Sequence, residues 1–215
     1  VEILRRWYRD VPATTALIAA NVLVWLITAV QSRSLMGNLS NSQLADDWLL
    51  WGPYVSQDGA SWFRAIGSMF LHVGMGHLAI NCFMLALIGR EIERAIGSSL
   101  YVVVYFAGGI FAAGAVVWMD YGTPTAGASG ALFALMVLLV GVFRRRGADL
   151  VAPLVLIGVN VAYTFISSSV SLWGHLGGLI AGALMLPFLF SSHRGIRWGG
   201  VLGVLVAGCA LIVMV

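Results

Sequence analysis

Two stretches carry groups whose types and setting could do chemistry. The first is Gly127-Ala128-Ser129-Gly130; the second runs from Gly174 and His175 through Gly177, Gly178 and Ala181 to Gly182. One holds a hydroxyl and the other an imidazole, and each opens a long apolar run. A serine oxygen within about 2.6–3.2 Å of an imidazole nitrogen is a nucleophile–base pair suited to acyl transfer. Ser129 taken alone is weak, because serine in a membrane helix ordinarily bonds backbone or packs closely. His175 is stronger, because an ionisable group inside a span is costly and points to function by default. The small residues Gly174, Gly178 and Gly182, with Gly127 and Gly130, would let two helices approach closely enough for such a bond.

A third polar set is His72, His77 and Asn81. On a helix, His77 and Asn81 lie about 40° apart and share a face, whereas His72 and His77 lie about 140° apart. Gly74 and Gly76 suggest that regular helix begins only after them, which leaves His72 as a loop-packing residue. His77 and Asn81 could donate hydrogen bonds to the oxyanion of acyl transfer; they could equally be interhelical hydrogen-bond glue. A metal site is disfavoured, since the His-x4-His spacing lacks the neighbouring carboxylate of a zinc-protease helix. The nine acids are Glu2, Asp10, Asp46, Asp47, Asp58, Glu91, Glu93, Asp120 and Asp149, and none falls in the central part of a span. A Ser129–His175 pair would then be a dyad with the histidine oriented by packing. Phe133, one turn after Ser129 on the same face, could hold the imidazole by ring contact.

The elements that must position these groups follow from composition. The chain has 215 residues, 60% hydrophobic and 10% charged, with mean hydropathy +0.93. A soluble domain carries about 25% charged residues, so this is an integral membrane protein. Apolar stretches at about 13–30, 66–88, 99–118, 126–143, 150–167, 172–190 and 198–215 each approach the ~20 residues a spanning helix needs. Their length and lack of alternation exclude a barrel; lipid excludes an open sheet. The fold class expected is an all-α polytopic bundle of seven transmembrane helices.

All twelve basic residues are Arg. With the N-terminus in the cytoplasm, Arg5, Arg6, Arg9, Arg90, Arg94, Arg144, Arg145, Arg146, Arg194 and Arg197 fall on the cytoplasmic side. Only Arg33 and Arg64 fall outside, as the positive-inside rule asks. The net charge of +3 is therefore topology information and no nucleic-acid signal. This direction puts Ser129 and His175 in the first turns of two spans that both run from outside to inside, about 5–10 Å below their outer ends. Cys82 and Cys209 lie in apolar runs and read as packing residues. The chain opens on Val without a cleavable signal-peptide pattern, and either end is open to extension. The outer segment 31–65, rich in Trp and Tyr, reads either as an interfacial anchor or as a structured loop packed on the bundle.

Together these residues resemble the rhomboid family of intramembrane serine proteases. The likeness covers about residues 62–182 and rests on three motifs in register: Gly-x-Ser-Gly at Gly127–Gly130, His-x4-His-x3-Asn at His72–Asn81 and the glycine ladder from His175 to Gly182. The resemblance implies Ser129 as nucleophile and His175 as general base, then acid. It implies an oxyanion hole of His77, Asn81 and the Ser129 backbone N–H, with Phe133, Gly127, Gly130, Gly178 and Gly182 in support. It implies a cytoplasmic segment 1–12, a six-helix core over 13–190 that includes the outer loop 31–65, and a linker with a seventh helix over 191–215. Residues 150–167 would be a lateral gate, and Glu93 with Gly97 resembles the family's acidic-then-Gly stretch. Substrates would be transmembrane proteins in a lipid bilayer, that of the bacterial cytoplasmic membrane, cut near its outer face with no metal and no cofactor. The C-terminus would lie outside. Three positions depart from the family's habit: Phe63 precedes Arg64 where Trp is frequent, Phe133 stands for Tyr, and Gly174 stands for Ala. The competing expectations are a catalytically inactive rhomboid-like protein that binds membrane clients, and a transporter, for which no inverted repeat is visible.

Overall fold

A computed structural model describes residues 9–57, 61–167 and 170–215. Arg5, Arg6, Glu2 and Asp58, used above, lie outside them. The long helices are α1 (Pro12–Ser32), α2 (Gly74–Ile96), α3 (Ser98–Met119), α4 (Ser129–Arg145), α5 (Val151–Ile166), α6 (Leu172–Leu189) and α7 (Arg194–Val213). The protein is an all-α, multi-pass membrane helix bundle: α1, α2, α3, α6 and α7 are each long and apolar enough to cross hydrocarbon. α4 and α5 are shorter, at 17 and 16 residues, or roughly 24–26 Å of rise. The five spanning-length helices are thus fewer than the seven expected from apolar runs alone.

Several helix boundaries differ from the sequence expectation, among them the start of α7 at Arg194 rather than 198. The second apolar run was expected over 66–88, yet residues 64–70 form two short turns and regular helix starts only at Gly74, whose φ is +70°. The helix then continues through a π-turn at Leu85–Gly89 to Ile96, so Arg90 and Arg94 lie inside α2 rather than after it. Long arginine side chains can reach out from a helix end, which is why hydropathy alone stops the run too early. α4 likewise starts at Ser129, not 126.

One end of the bundle is tied by charge. The Glu93 carboxylate, 2% exposed, accepts the Ala13 and Thr14 backbone N–H groups at 2.9 and 2.8 Å and the Ser98 hydroxyl at 2.6 Å. An anion at a helix N-terminus satisfies orphan donors and opposes the helix dipole, so Glu93 joins α1, α2 and α3 at one point. Arg94 pairs with Asp10 at 3.1 Å and Arg146 with Glu91 at 2.7 Å. Arg145 donates to the Phe190 carbonyl just past α6. The arginine-bearing ends of α2 and α4 therefore gather at this end, which leaves the N-termini of α4 and α6 together at the other.

In lipid there is little hydrophobic drive between helices, so close packing through small residues must hold them. α3 is the most buried of the spanning-length helices and lies among its neighbours through Ala107, Gly108, Ala112 and Ala113. α7 packs on the outside of α3, where Gly208 meets the Phe111 backbone and Trp118 Nε1 donates to the Leu211 carbonyl. α5 is the opposite case. Val151, Leu154, Val155, Val159, Tyr163, Phe165 and Ile166 are exposed, and its only buried residues are Pro153 and Thr164.

The segment between α1 and α2 is a structured loop, the second of the two alternatives. Asn38, fully buried, donates to Thr28 Oγ1 at 2.7 Å and to the His72 carbonyl at 2.9 Å, and accepts from the Gly74 N–H at 2.7 Å. That single side chain fixes the turn into α2. Arg64 donates to the Asp46 and Leu49 carbonyls at 2.6 and 3.2 Å, and its guanidinium lies over the Tyr54 ring; with Phe63 before it, the arginine still fastens the loop. Leu50 and Thr125 pair as a β-bridge and Trp51 Nε1 donates to the Gly122 carbonyl. The loop is thereby attached to the strand of chain that leads into Ser129.

Candidate active site

Ser129 is the first residue of α4 and its Oγ lies 2.9 Å from His175 Nε2. The pair spans two helices and 46 positions of sequence. Its closeness follows from the glycines. A Cβ on Gly178 would strike the Gly130 carbonyl oxygen, and one on Gly182 would lie 2.6 Å from the Ala134 carbonyl oxygen. Any larger residue there would separate α4 from α6. Gly174 differs from the ladder expectation: its Cβ position faces Val116 of α3 and its own cap Ser171, and only its carbonyl abuts the Gly130 position. Gly177, next to it, likewise packs on Ala112 and Ala115. The small residues of α6 thus serve two neighbours, α4 through Gly178 and Gly182 and α3 through Gly174 and Gly177.

His175 is 5% exposed and held on two further sides. The Phe133 ring stacks on the imidazole with centroids 4.0 Å apart and planes 14° apart. On the far edge, Nδ1 is 2.7 Å from Thr164 Oγ1 of α5. Thr164 escaped the sequence reading because it lies in a run of apolar residues with no motif; burial of one hydroxyl on an otherwise exposed helix is a signal only coordinates supply. Phe133, Val161, Thr164, Phe165, His175 and Leu176 line a shallow crevice between α5 and α6 that has no room for a water molecule.

The N-terminus of α4 is bare. Ala128 caps it without a side-chain hydrogen bond, so the Ser129 N–H, at the first helical position, has no acceptor within the helix. The approach to it is bent by Gly127, whose φ is +131°, whose N–H donates to the Ser68 carbonyl at 2.8 Å, and whose Cβ position would fall 2.9 Å from His77 Nε2. His77 therefore lies directly beside the turn that delivers Ser129. The Val73 N–H donates to His77 Nδ1 at 3.3 Å. With Nδ1 an acceptor, the ring proton sits on Nε2, the nitrogen that faces Gly127.

His72 packs in the loop, fully buried, with its ring edge against His77 at a centroid separation of 5.0 Å. The rings meet because helix starts at Gly74, so the geometry of one continuous helix does not apply. Among the described residues no third cysteine, histidine or carboxylate joins them. Asn81 is 4% exposed, and its Nδ2 donates to the His77 carbonyl at 2.8 Å while Oδ1 has no partner among the described residues. One of its two amide protons is thus spent along its own helix and the other is left to donate.

A serine hydroxyl facing an imidazole, beside a bare helix N-terminus and a neutral histidine N–H, can attack a carbonyl and hold the resulting oxyanion. Comparison with known proteins identifies the family. Residues 59–192 match the family model described as Rhomboid domain. "Rhomboid protease GluP" of Bacillus subtilis (strain 168) is 31% identical over 161 residues, covering 71% of this chain and 30% of that protein. "Rhomboid protease AarA" of Providencia stuartii is 28% identical over 214 residues, covering 84% of this chain and 74% of that protein. "RHOMBOID-like protein 7" of Arabidopsis thaliana is 27% identical over 92% of this chain and 64% of its own length. The chain spans less than a third of GluP. A family match over more than half of the chain, on a multi-pass helix bundle, makes this protein a member of the rhomboid family.

Proposed function

We propose that the protein is an intramembrane serine endopeptidase that uses a Ser129–His175 dyad to cut transmembrane or juxtamembrane segments of membrane proteins. The observation that carries the proposal is the 2.9 Å contact of Ser129 Oγ with His175 Nε2. Ser129 Oγ attacks the scissile carbonyl carbon while its proton passes to Nε2. The tetrahedral oxyanion takes hydrogen bonds from the Ser129 N–H, His77 Nε2–H and the second N–H of Asn81; one such donor is worth roughly 3–4 kcal/mol. The C–N bond then breaks, His175 returns the proton to the leaving amine, and the ester on Ser129 is released by water activated at the same nitrogen.

Topology completes the reading. The positive-inside rule sets the arginine-bearing end in the cytoplasm of a bacterial cell and the dyad near the outer face. α1–α6, with the loop between α1 and α2, make the catalytic core, including α4 and α5 as short spans. α7 is an added helix whose C-terminus lies outside. The substrate enters beside α5, a gate reading supported by the mostly exposed face of that helix, and it must be extended to reach Ser129. No metal or cofactor enters the mechanism.

The test is reconstitution in liposomes with a model transmembrane substrate. Cleavage that disappears in Ser129→Ala and in His175→Ala supports the dyad. Cleavage by the wild type that a chelator abolishes would refute it. Binding of the substrate without any cleavage by the wild type would favour a client-binding role.

A further inference from the structure

The dyad needs one tautomer of His175. Nε2 must present a lone pair to the Ser129 hydroxyl, so the ring proton must sit on Nδ1. Phe133 cannot choose between tautomers, because a stacked ring contacts both nitrogens alike. Here the described acids lie away from His175, so something else must make the choice.

We propose that Thr164 is the positioning residue that selects this tautomer, with the Asn160 carbonyl as its anchor. The inference rests on the protease reading of the same site. Thr164 Oγ1 is 2.9 Å from the Asn160 carbonyl and 2.7 Å from His175 Nδ1. A hydroxyl has one proton and two lone pairs. The carbonyl can only accept, so the hydroxyl proton goes to Asn160, one turn back along α5. Oγ1 then offers a lone pair to Nδ1, and Nδ1–H is the form that satisfies it. The chain of bonds runs Nδ1–H to Thr164 to the Asn160 carbonyl at one edge of the ring, and Ser129 O–H to Nε2 at the other. The reverse tautomer would set two lone pairs, or two protons, against one another unless both hydroxyls turned.

The placement of Thr164 strengthens the case. It is 6% exposed on a helix whose other buried residue is Pro153. A hydroxyl turned inward from a mostly exposed helix is not needed for packing, since valine has the same shape. α5 also ends at Ile166, just past this bond, so the contact joins the proposed gate helix to the base.

The test uses the full chain in detergent and in liposomes, with Thr164→Val and Thr164→Ser beside the wild type. Nitrogen-15 spectra of histidine-labelled protein read the tautomer, and the His175 signals are those absent from His175→Ala. In the wild type and in Thr164→Ser, Nδ1 is protonated; in Thr164→Val the signals shift toward a mixture. Cleavage by Thr164→Val falls about 10- to 100-fold in kcat with little change in KM, and Thr164→Ser recovers it to within about threefold. Should Thr164→Val not purify as a single folded species, Thr164→Ala takes its place in the same comparison. A Thr164→Val protein that cleaves at the wild-type rate overturns the inference. So does one that slows while Nδ1 stays fully protonated, since that outcome marks a purely structural threonine. The Ser129→Ala control separates the two claims: cleavage that survives in it sinks the protease mechanism, whereas the spectrum judges Thr164 by itself.

Discussion

Phe133 stacks face to face on His175, with ring centroids 4.0 Å apart, and it sits one helical turn beyond Ser129 on the same helix. α4 thus supplies both the hydroxyl and the surface that holds its partner in register. Phe133→Ala should uncover one face of the imidazole and leave it held at its two ring nitrogens alone. Cleavage is expected to fall about tenfold or more, while Phe133→Tyr, which keeps the ring, stays near wild type. Steady-state kinetics on the two variants checks this, and equal loss in both would point to packing alone.

The Gly178 position tests the helix approach. Its Cβ would occupy the place of the Gly130 carbonyl, and overpacking of this kind costs about 1–3 kcal/mol. Gly178→Ala should move α6 off α4, lengthen the Ser129–His175 contact and depress fluorophosphonate labelling. Gly203→Ala, on α7 with open space at its Cβ position, should label as the wild type does.

Gly127 should tolerate no side chain. Its φ of +131° and the neighbouring His77 ring both oppose a Cβ, with backbone strain alone of about 1–3 kcal/mol. Gly127→Ala is expected to lower kcat more than it lowers thermal stability, because the displaced groups are Ser129 and His77 rather than the bundle. A thermal inactivation curve run beside the kinetics separates the two.

Glu93 is a stability residue far from the dyad. Glu93→Gln keeps the shape but removes the charge that caps α1, and hydrogen bonds to a charged group contribute about 1.5–3 kcal/mol. The variant should inactivate at lower temperature while its initial kcat at low temperature is preserved.

The sequence made the class, the approach of α6 to α4 at Gly178 and Gly182 and the facing of Ser129 and His175 readable, though not the turn of Gly174 toward α3, because apolar run length, arginine placement and small-residue spacing are local properties. Helix ends were less legible. Arg90 and Arg94 lie inside α2 since their side chains reach away from a helix that backbone bonding continues, and the start of α2 is set by Asn38, which sits 36 positions upstream of Gly74. Thr164 was invisible for a related reason: its partner, His175, lies on another helix, and nothing in an apolar run marks which hydroxyl turns inward. Asn81 was legible as a polar residue on the His77 face, yet its bond back to the His77 carbonyl appears only in the fold.

The central claim is that Ser129 Oγ is activated by His175 Nε2. The direct measurement is fluorophosphonate labelling of the intact protein in liposomes, with the modified residue located by mass spectrometry and cleavage of a transmembrane substrate followed in parallel. The account predicts adduct on Ser129 in the wild type, none in Ser129→Ala, strong loss in His175→Ala, and cleavage that follows the labelling. Adduct on another residue, or cleavage undiminished in Ser129→Ala, would contradict it.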